Sequence, residues 1–164
     1  MITKNFSTSW TEYHSIEELN QSDKELVIAA REAAQNAYAP YSKFRVGAAV
    51  KLETGIIIRG ANVENAAFPS GICAERSAFS YSASNYPLIK PIALAVAAFT
   101  EEGLTKDPVP PCGNCRQVIV EEEFRNNKNI RVILSGETKI QIIEKGGDLL
   151  PLQFNMNNLK IIPK

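Results

Sequence analysis

Few side chains in this sequence of 164 residues suit acid-base or metal chemistry near neutral pH: it holds one histidine, His14, and three cysteines. His14 lies in a polar, aperiodic opening stretch, far in sequence from every thiol, and reads as a surface side chain. Three cysteines cannot all pair within one chain, and a reducing compartment disfavours disulfides, so metal binding or thiol chemistry becomes the question. There is no excess of charge of either sign, with 18 Lys and Arg against 18 Asp and Glu. A polynucleotide or an anionic membrane would favour a basic surplus, so a small-molecule partner is expected. Long apolar runs are also missing. The opening "MITKNFSTSW" has no charged segment followed by an apolar one, and the longest apolar run, "IALAVAAF" at 92–99, is too short to span a bilayer. The expectation is a cytoplasmic protein with no membrane partner. No internal repeat or low-complexity segment is present. The length and 45% hydrophobic content suit one globular domain, expected over 21–164, preceded by an extension over 1–20.

The pattern along the chain alternates between helical and strand periods. "SDKELVIAAREAAQNAY" opens with Ser22 and Glu25 at capping-box spacing and carries Leu26, Ala29, Ala30, Ala33, Ala34 and Ala37 at helical intervals, predicting a helix that ends before Pro40. "FRVGAAVKL" and "GIIIRGAN" flank the turn signal "ETG" and predict a β-hairpin. "CAERSAFSYSASN" reads as a second helix, and "IALAVAAFT" as a strand covered on both faces. The Pro-rich "KDPVPP" leads to a third helix in "CGNCRQVIVEEEF", followed by short strands in "IRVILSG" and "KIQIIEK". A hairpin must be antiparallel whereas helix crossovers join parallel strands. The order therefore predicts a three-layer α/β/α sandwich with a mixed, about five-stranded sheet.

All three thiols fall in two short segments, "GICAERSAF" at 71–79 and "PPCGNCRQ" at 110–117. Cys112 and Cys115, three apart at a helix start, share a face near the positive end of the helix dipole, which favours thiolates. Cys73 and Glu75, two apart, can cooperate only if Cys73 sits at a helix terminus, as Gly71 upstream permits. If the three thiolates share one zinc, a fourth position stays open, as in catalytic rather than structural sites. Three thiolates leave zinc with a formal charge of about −1, which two helix N-termini and Arg76 or Arg116 would offset. Glu75 would then be the carboxylate that moves protons beside the metal. Buried structural cysteines with a solvated Glu75, or a redox pair at "CGNC", remain alternatives, although redox chemistry needs neither the third thiol nor the glutamate.

"CAE" followed by "PCGNC" resembles the signature of zinc deaminases. With "YAPYSKFRVGAAV", "NVENAAFPSGICAER" and the late "LLPLQF", the chain resembles over about 24–154 the small homotetrameric cytidine deaminase family. That resemblance implies one zinc per chain on Cys73, Cys112 and Cys115, with Glu75 as catalytic proton shuttle while a water activated by zinc attacks C4 of cytosine. The products would be ammonia and uridine or 2′-deoxyuridine, a step of pyrimidine salvage. It further implies that Asn62 and Glu64 hold the sugar hydroxyls, that Phe44 lies beside the base, and that the backbone of Ala74 reads the base edge. Ala66, Phe68 and Phe154 would reach in from neighbouring subunits, and Arg76 would temper the thiolate charge. Two positions depart from the family pattern: Phe68 stands where tyrosine is usual, and "FNM" where "FGP" is common. Related enzymes that act on other cytosine-bearing molecules, such as blasticidin S, share the zinc motifs, but "NVEN" favours a nucleoside. A polynucleotide substrate would call for a basic groove, which the zero net charge does not supply.

Overall fold

The structure is a computed structural model that describes residues 1–159; the end of the expected 21–164 domain lies outside the described residues. Its first helix, α1 (Gln21–Ala33), starts one turn signal earlier than the sequence predicts. Asn20 is the N-cap, its Oδ1 accepting from the Asp23 N–H at 3.0 Å, and its Nδ2 donates to Asp23 Oδ2 at 2.7 Å. Ser22, expected as the cap, instead accepts from Lys51 Nζ. Both positions have an acidic residue three places on. The choice between them is tertiary: Asp23 is buried and paired with Arg131, a partner 108 residues away that no local pattern reveals.

The predicted hairpin forms as β2 (Arg45–Leu52) and β3 (Ile57–Ala61), and α2 (Ala74–Asn85) follows. Then come β4 (Pro91–Thr100), the two-residue β5 (Gly103–Leu104), α3 (Gly113–Asn126), β6 (Arg131–Ser135) and β7 (Ile140–Ile143). The first strand, β1 (Thr11–Tyr13), comes from the stretch read as an extension and pairs antiparallel with β7. The sheet therefore has seven strands rather than about five, in the order β1-β7-β6-β4-β2-β3, with β5 on the end of β4. β1 and β5 are three and two residues long, too short to carry the apolar alternation that reveals a strand in sequence. β4 and β6 are parallel and the other pairings antiparallel, as a helix crossover between β4 and β6 requires.

The sheet is covered on both faces, which makes three layers. One face of β2 and β4 presents Ala49, Ala93, Ala95 and Ala97 to Leu26, Val27, Ala29 and Ala30 of α1. The opposite face presents Ala48, Val50, Leu94 and Val96 to Ala74, Ala78 and Phe79 of α2 and Ile119 of α3. Alternation along each strand sends successive residues to opposite layers, so the continuous apolar run of β4 is fully used.

Two glycines let the helices lie directly on the strands. A Cβ on Gly47 would stand 2.1 Å from the Ala30 carbonyl oxygen of α1, and one on Gly60 would stand 2.4 Å from the Ala74 carbonyl oxygen and 2.6 Å from the Ala78 nitrogen of α2. The contact at Gly60 sets the height of the first turns of α2 above β3. Because β3, β4 and β6 run the same way, the N-termini of α2, which follows β3, and α3, which follows β4, meet at the carboxyl-terminal edge of these strands. Gly60→Ala is expected to cost about 1–3 kcal/mol, since a helix backbone cannot yield as a flexible side chain can. Thermal unfolding should show a Tm lower by roughly 2–4 °C per kcal/mol.

Candidate active site

Cys73 and Cys112 are the N-cap residues of α2 and α3, and neither helix has a side-chain cap hydrogen bond. The condition set by the sequence, that Cys73 occupy a helix terminus, is met. Cys73 Sγ and Cys112 Sγ are 3.9 Å apart and Cys112 Sγ and Cys115 Sγ 3.6 Å, with all three sulfurs within 4.8 Å of one another. Tetrahedral zinc with Zn–S bonds of about 2.3 Å spaces its sulfurs by about 3.8 Å, so the thiols already stand at ligand separation. Three ligand atoms at this spacing fit one zinc and leave one corner of the tetrahedron to a non-protein group. His14 is exposed, in the turn after β1, and takes no part in the cluster.

The electrostatics differ from thiol to thiol. Burial raises the Cys73 and Cys115 thiols, and the neighbouring charges of Cys112 and Glu75 push the same way. At Cys112 burial also pushes upward, but the nearby N–H of Cys115, the thiols of Cys115 and Cys73 and the N–H of Asn114 together outweigh it and leave this thiol below its ordinary value. The two N–H groups belong to the first turn of α3, whose positive end faces the sulfur. Neither arginine bonds a sulfur. Arg116 gives Nε to the Pro111 carbonyl and Nη1 to the Leu149 carbonyl, and Arg76 has no hydrogen-bond partner among the described residues.

Glu75 lies in the first turn of α2, only 5% exposed, and burial raises its carboxyl above the usual carboxylate range against the pull of its own backbone N–H. A carboxyl so placed beside a metal site is suited to taking up and returning a proton.

Cys73, Ala74, Glu75 and Cys112 line a cleft of about 640 Å³ together with Phe44, Asn62, Glu64 and Phe68. Asn62 follows β3, and its amide is fixed by β2: Oδ1 accepts from the Val46 N–H at 2.7 Å and Nδ2 donates to the Phe44 carbonyl at 3.0 Å. Glu64 accepts from the N–H groups of Tyr41 at 2.9 Å and Ser42 at 3.3 Å through Oε2, and from the Ser42 hydroxyl through Oε1. The Ser42 hydroxyl is the largest influence holding the Glu64 carboxyl below its ordinary range. Three of about four lone-pair sites on Glu64 are thus taken, and Asn62 keeps one N–H to offer. What remains is one N–H on Asn62 and one acceptor site on each side chain, groups that can meet the donor and acceptor of a hydroxyl.

Phe68, expected to serve a neighbouring subunit, lines the cleft of its own chain, 77% exposed and edge-on to Tyr41 at 6.1 Å between ring centroids. Ala66 and Phe154 are exposed and lie off the cleft wall; the Phe154 carbonyl accepts from Gln117 Nε2 at 2.8 Å. Tyr41 and Ser42 also belong to the site, although the sequence assigns them no role. A hydroxyl two residues before the aromatic that precedes β2, as in a Ser-centred turn, is the signal for them.

Residues 20–128 match the family model described as the cytidine and deoxycytidylate deaminase zinc-binding region. The chain is 46% identical over 102 residues to cytidine deaminase of Halalkalibacterium halodurans, a span of 60% of this chain and 71% of that protein. Its fold is similar to a crystal structure of cytidine deaminase from Burkholderia pseudomallei, with TM-score 0.67, 38% identity, and coverage of 79% of this chain and 97% of that chain. Blasticidin-S deaminase of Bacillus cereus is more distant, 28% identical over 141 residues, which cover 85% of this chain and 96% of that protein.

Metal analysis of the purified chain is expected to find one zinc per chain. Cys115→Ala should retain less than about a tenth of it, because two remaining thiols cannot hold the ion against buffer.

Proposed function

We propose that this chain, which belongs to the cytidine and deoxycytidylate deaminase family, hydrolyses cytidine and 2′-deoxycytidine to uridine and 2′-deoxyuridine with release of ammonia. The observation that carries the proposal is that one cleft is lined by Cys73 and Cys112, two members of a three-thiol cluster at zinc spacing, by the buried Glu75, and by Asn62 and Glu64. Zinc held by Cys73, Cys112 and Cys115 supplies the Lewis acidity that makes a water nucleophilic near neutral pH. Glu75 takes one proton from the attacking water and gives it to the ring nitrogen beside C4, then takes the second from the hydroxyl now on C4 and gives it to the departing amino group, which leaves as ammonia. Its raised affinity for protons suits both halves of that exchange.

Substrate is held from three sides. Phe44 lies against the face of the base, and the backbone of Ala74, in the first turn of α2 where N–H groups lack helical partners, reads its edge. Asn62 and Glu64 hold a sugar hydroxyl. The residual donor of Asn62 and the residual acceptor of Glu64 can hold the 3′-hydroxyl that both sugars carry, so a ribose and a 2′-deoxyribose are both suitable. A substrate without a sugar hydroxyl at this point would leave the residual donor of Asn62 and acceptor of Glu64 unused, which disfavours the blasticidin alternative.

The active assembly in this proposal is a homotetramer. Phe68, Ala66 and Phe154 are exposed in the single chain and would be covered by neighbours that complete each cleft. Arg76 acts on the thiolates through its charge rather than a hydrogen bond. The proposed setting is cytoplasmic pyrimidine salvage; no described helix is long and apolar enough to cross a membrane.

The test is ammonia release from cytidine by the zinc-loaded protein, with Glu75→Gln as comparison. Glu75→Gln should keep its zinc and lose about a thousandfold in kcat, the scale of a general acid-base group. Unchanged turnover in that variant would sink the assignment of Glu75.

A further inference from the structure

The turn over 41–44 uses its hydrogen bonds in a way that a simple connection between α1 and β2 does not require. Ser42 Oγ accepts from the Phe44 N–H at 3.0 Å and lies within hydrogen-bond reach of Glu64 Oε1. A hydroxyl has one proton. Since the Phe44 N–H occupies Oγ as a donor, and the Glu64 carboxylate can only accept, the Ser42 proton points at Glu64. Lys43, between these residues, has φ of 57°, a left-handed conformation that side chains with a Cβ seldom adopt. That conformation lets the N–H of Ser42 and the hydroxyl of Ser42 face the same carboxylate from two directions, with the Tyr41 N–H as a third donor.

We propose that Ser42 is a positioning residue that holds the Glu64 carboxylate in the orientation from which its one remaining lone-pair site meets a sugar hydroxyl. The proposal rests on the deaminase function given above. The main-chain donors of Tyr41 and Ser42 both bind Oε2, and by themselves leave the carboxylate free to rotate about its last bond. The Ser42 hydroxyl alone engages Oε1 and stops that rotation. Glu64 is therefore paired before substrate arrives, so the ordering of its side chain is not charged against binding.

A turn serine that only supports the fold would harm every substrate alike, whereas one acting through Glu64 harms only substrates with a hydroxyl to bind. The experiment is steady-state kinetics of wild type, Ser42→Ala and Ser42→Thr on cytidine and on 2′,3′-dideoxycytidine. For cytidine, Ser42→Ala should raise KM about tenfold with kcat within about twofold, the mark of lost binding that is shared by ground and transition states. For the dideoxy substrate, kcat/KM should differ between wild type and Ser42→Ala by less than about twofold, and Ser42→Thr, which keeps the hydroxyl, should restore most of the loss on cytidine. Equal losses on both substrates, or no loss on cytidine, would overturn the proposal. Wild-type protein that releases no ammonia from cytidine would overturn the deaminase function beneath it, a result distinct from either of these.

Discussion

Two α-helices begin against each other at one edge of the sheet, and each begins with a cysteine where serine, threonine or aspartate would ordinarily cap. The first-turn N–H groups therefore have no oxygen of their own cap residue to satisfy them, and the two positive helix ends converge on sulfur. Such an arrangement is tolerable only if negative charge collects there. Three thiolates provide more than one zinc neutralises, and the surplus of about one charge is matched by two helix ends worth roughly half a charge each. Helix geometry and metal chemistry thus solve the same electrostatic problem.

Most of the packing can be understood as holding those two starts in place. Small residues on the α1 face, and Gly47 beneath it, let α1 close the back of the sheet at short range. Gly60 does the same for α2 on the front, fixing the depth at which Cys73 and Glu75 sit. α3 is anchored at its other end by Glu123, which accepts from the N–H groups of Ile130 and Gly147, so the helix cannot slide along its axis and carry Cys112 and Cys115 away. The Pro-rich approach to α3 is tied to the β6–β7 turn through the Thr105 and Lys106 carbonyls, which limits motion at the near end.

Local chemistry made much of this legible in advance. The thiol spacing, the helix start at Cys112 and the hairpin around 53–55 follow from short-range pattern, and the structure has them. Other features depend on partners distant in sequence. Asn20 rather than Ser22 caps α1 because Asp23 meets Arg131 across the fold. β1 forms because β7 offers it an edge, not because "TEY" has a strand pattern. In the site, Asn62 and Glu64 could be named from their motif, yet the turn over 41–44 that orients Glu64 is built from backbone donors, which every sequence possesses and none advertises.

β1 also bears on how the chain coexists with others. β7 is "IQII", with Ile140, Ile142 and Ile143 buried, and without a neighbour its outer edge would present a row of free N–H and C=O groups beside apolar side chains. Edges of that kind recruit strands from other molecules. β1 occupies the edge with three residues, and it exposes Thr11 and Glu12 in place of isoleucine, with Glu12 accepting from Gln141 across the pair. The polar opening stretch thus ends the sheet in a short, charged strand that offers little for another chain to extend, and so guards against unwanted polymerisation.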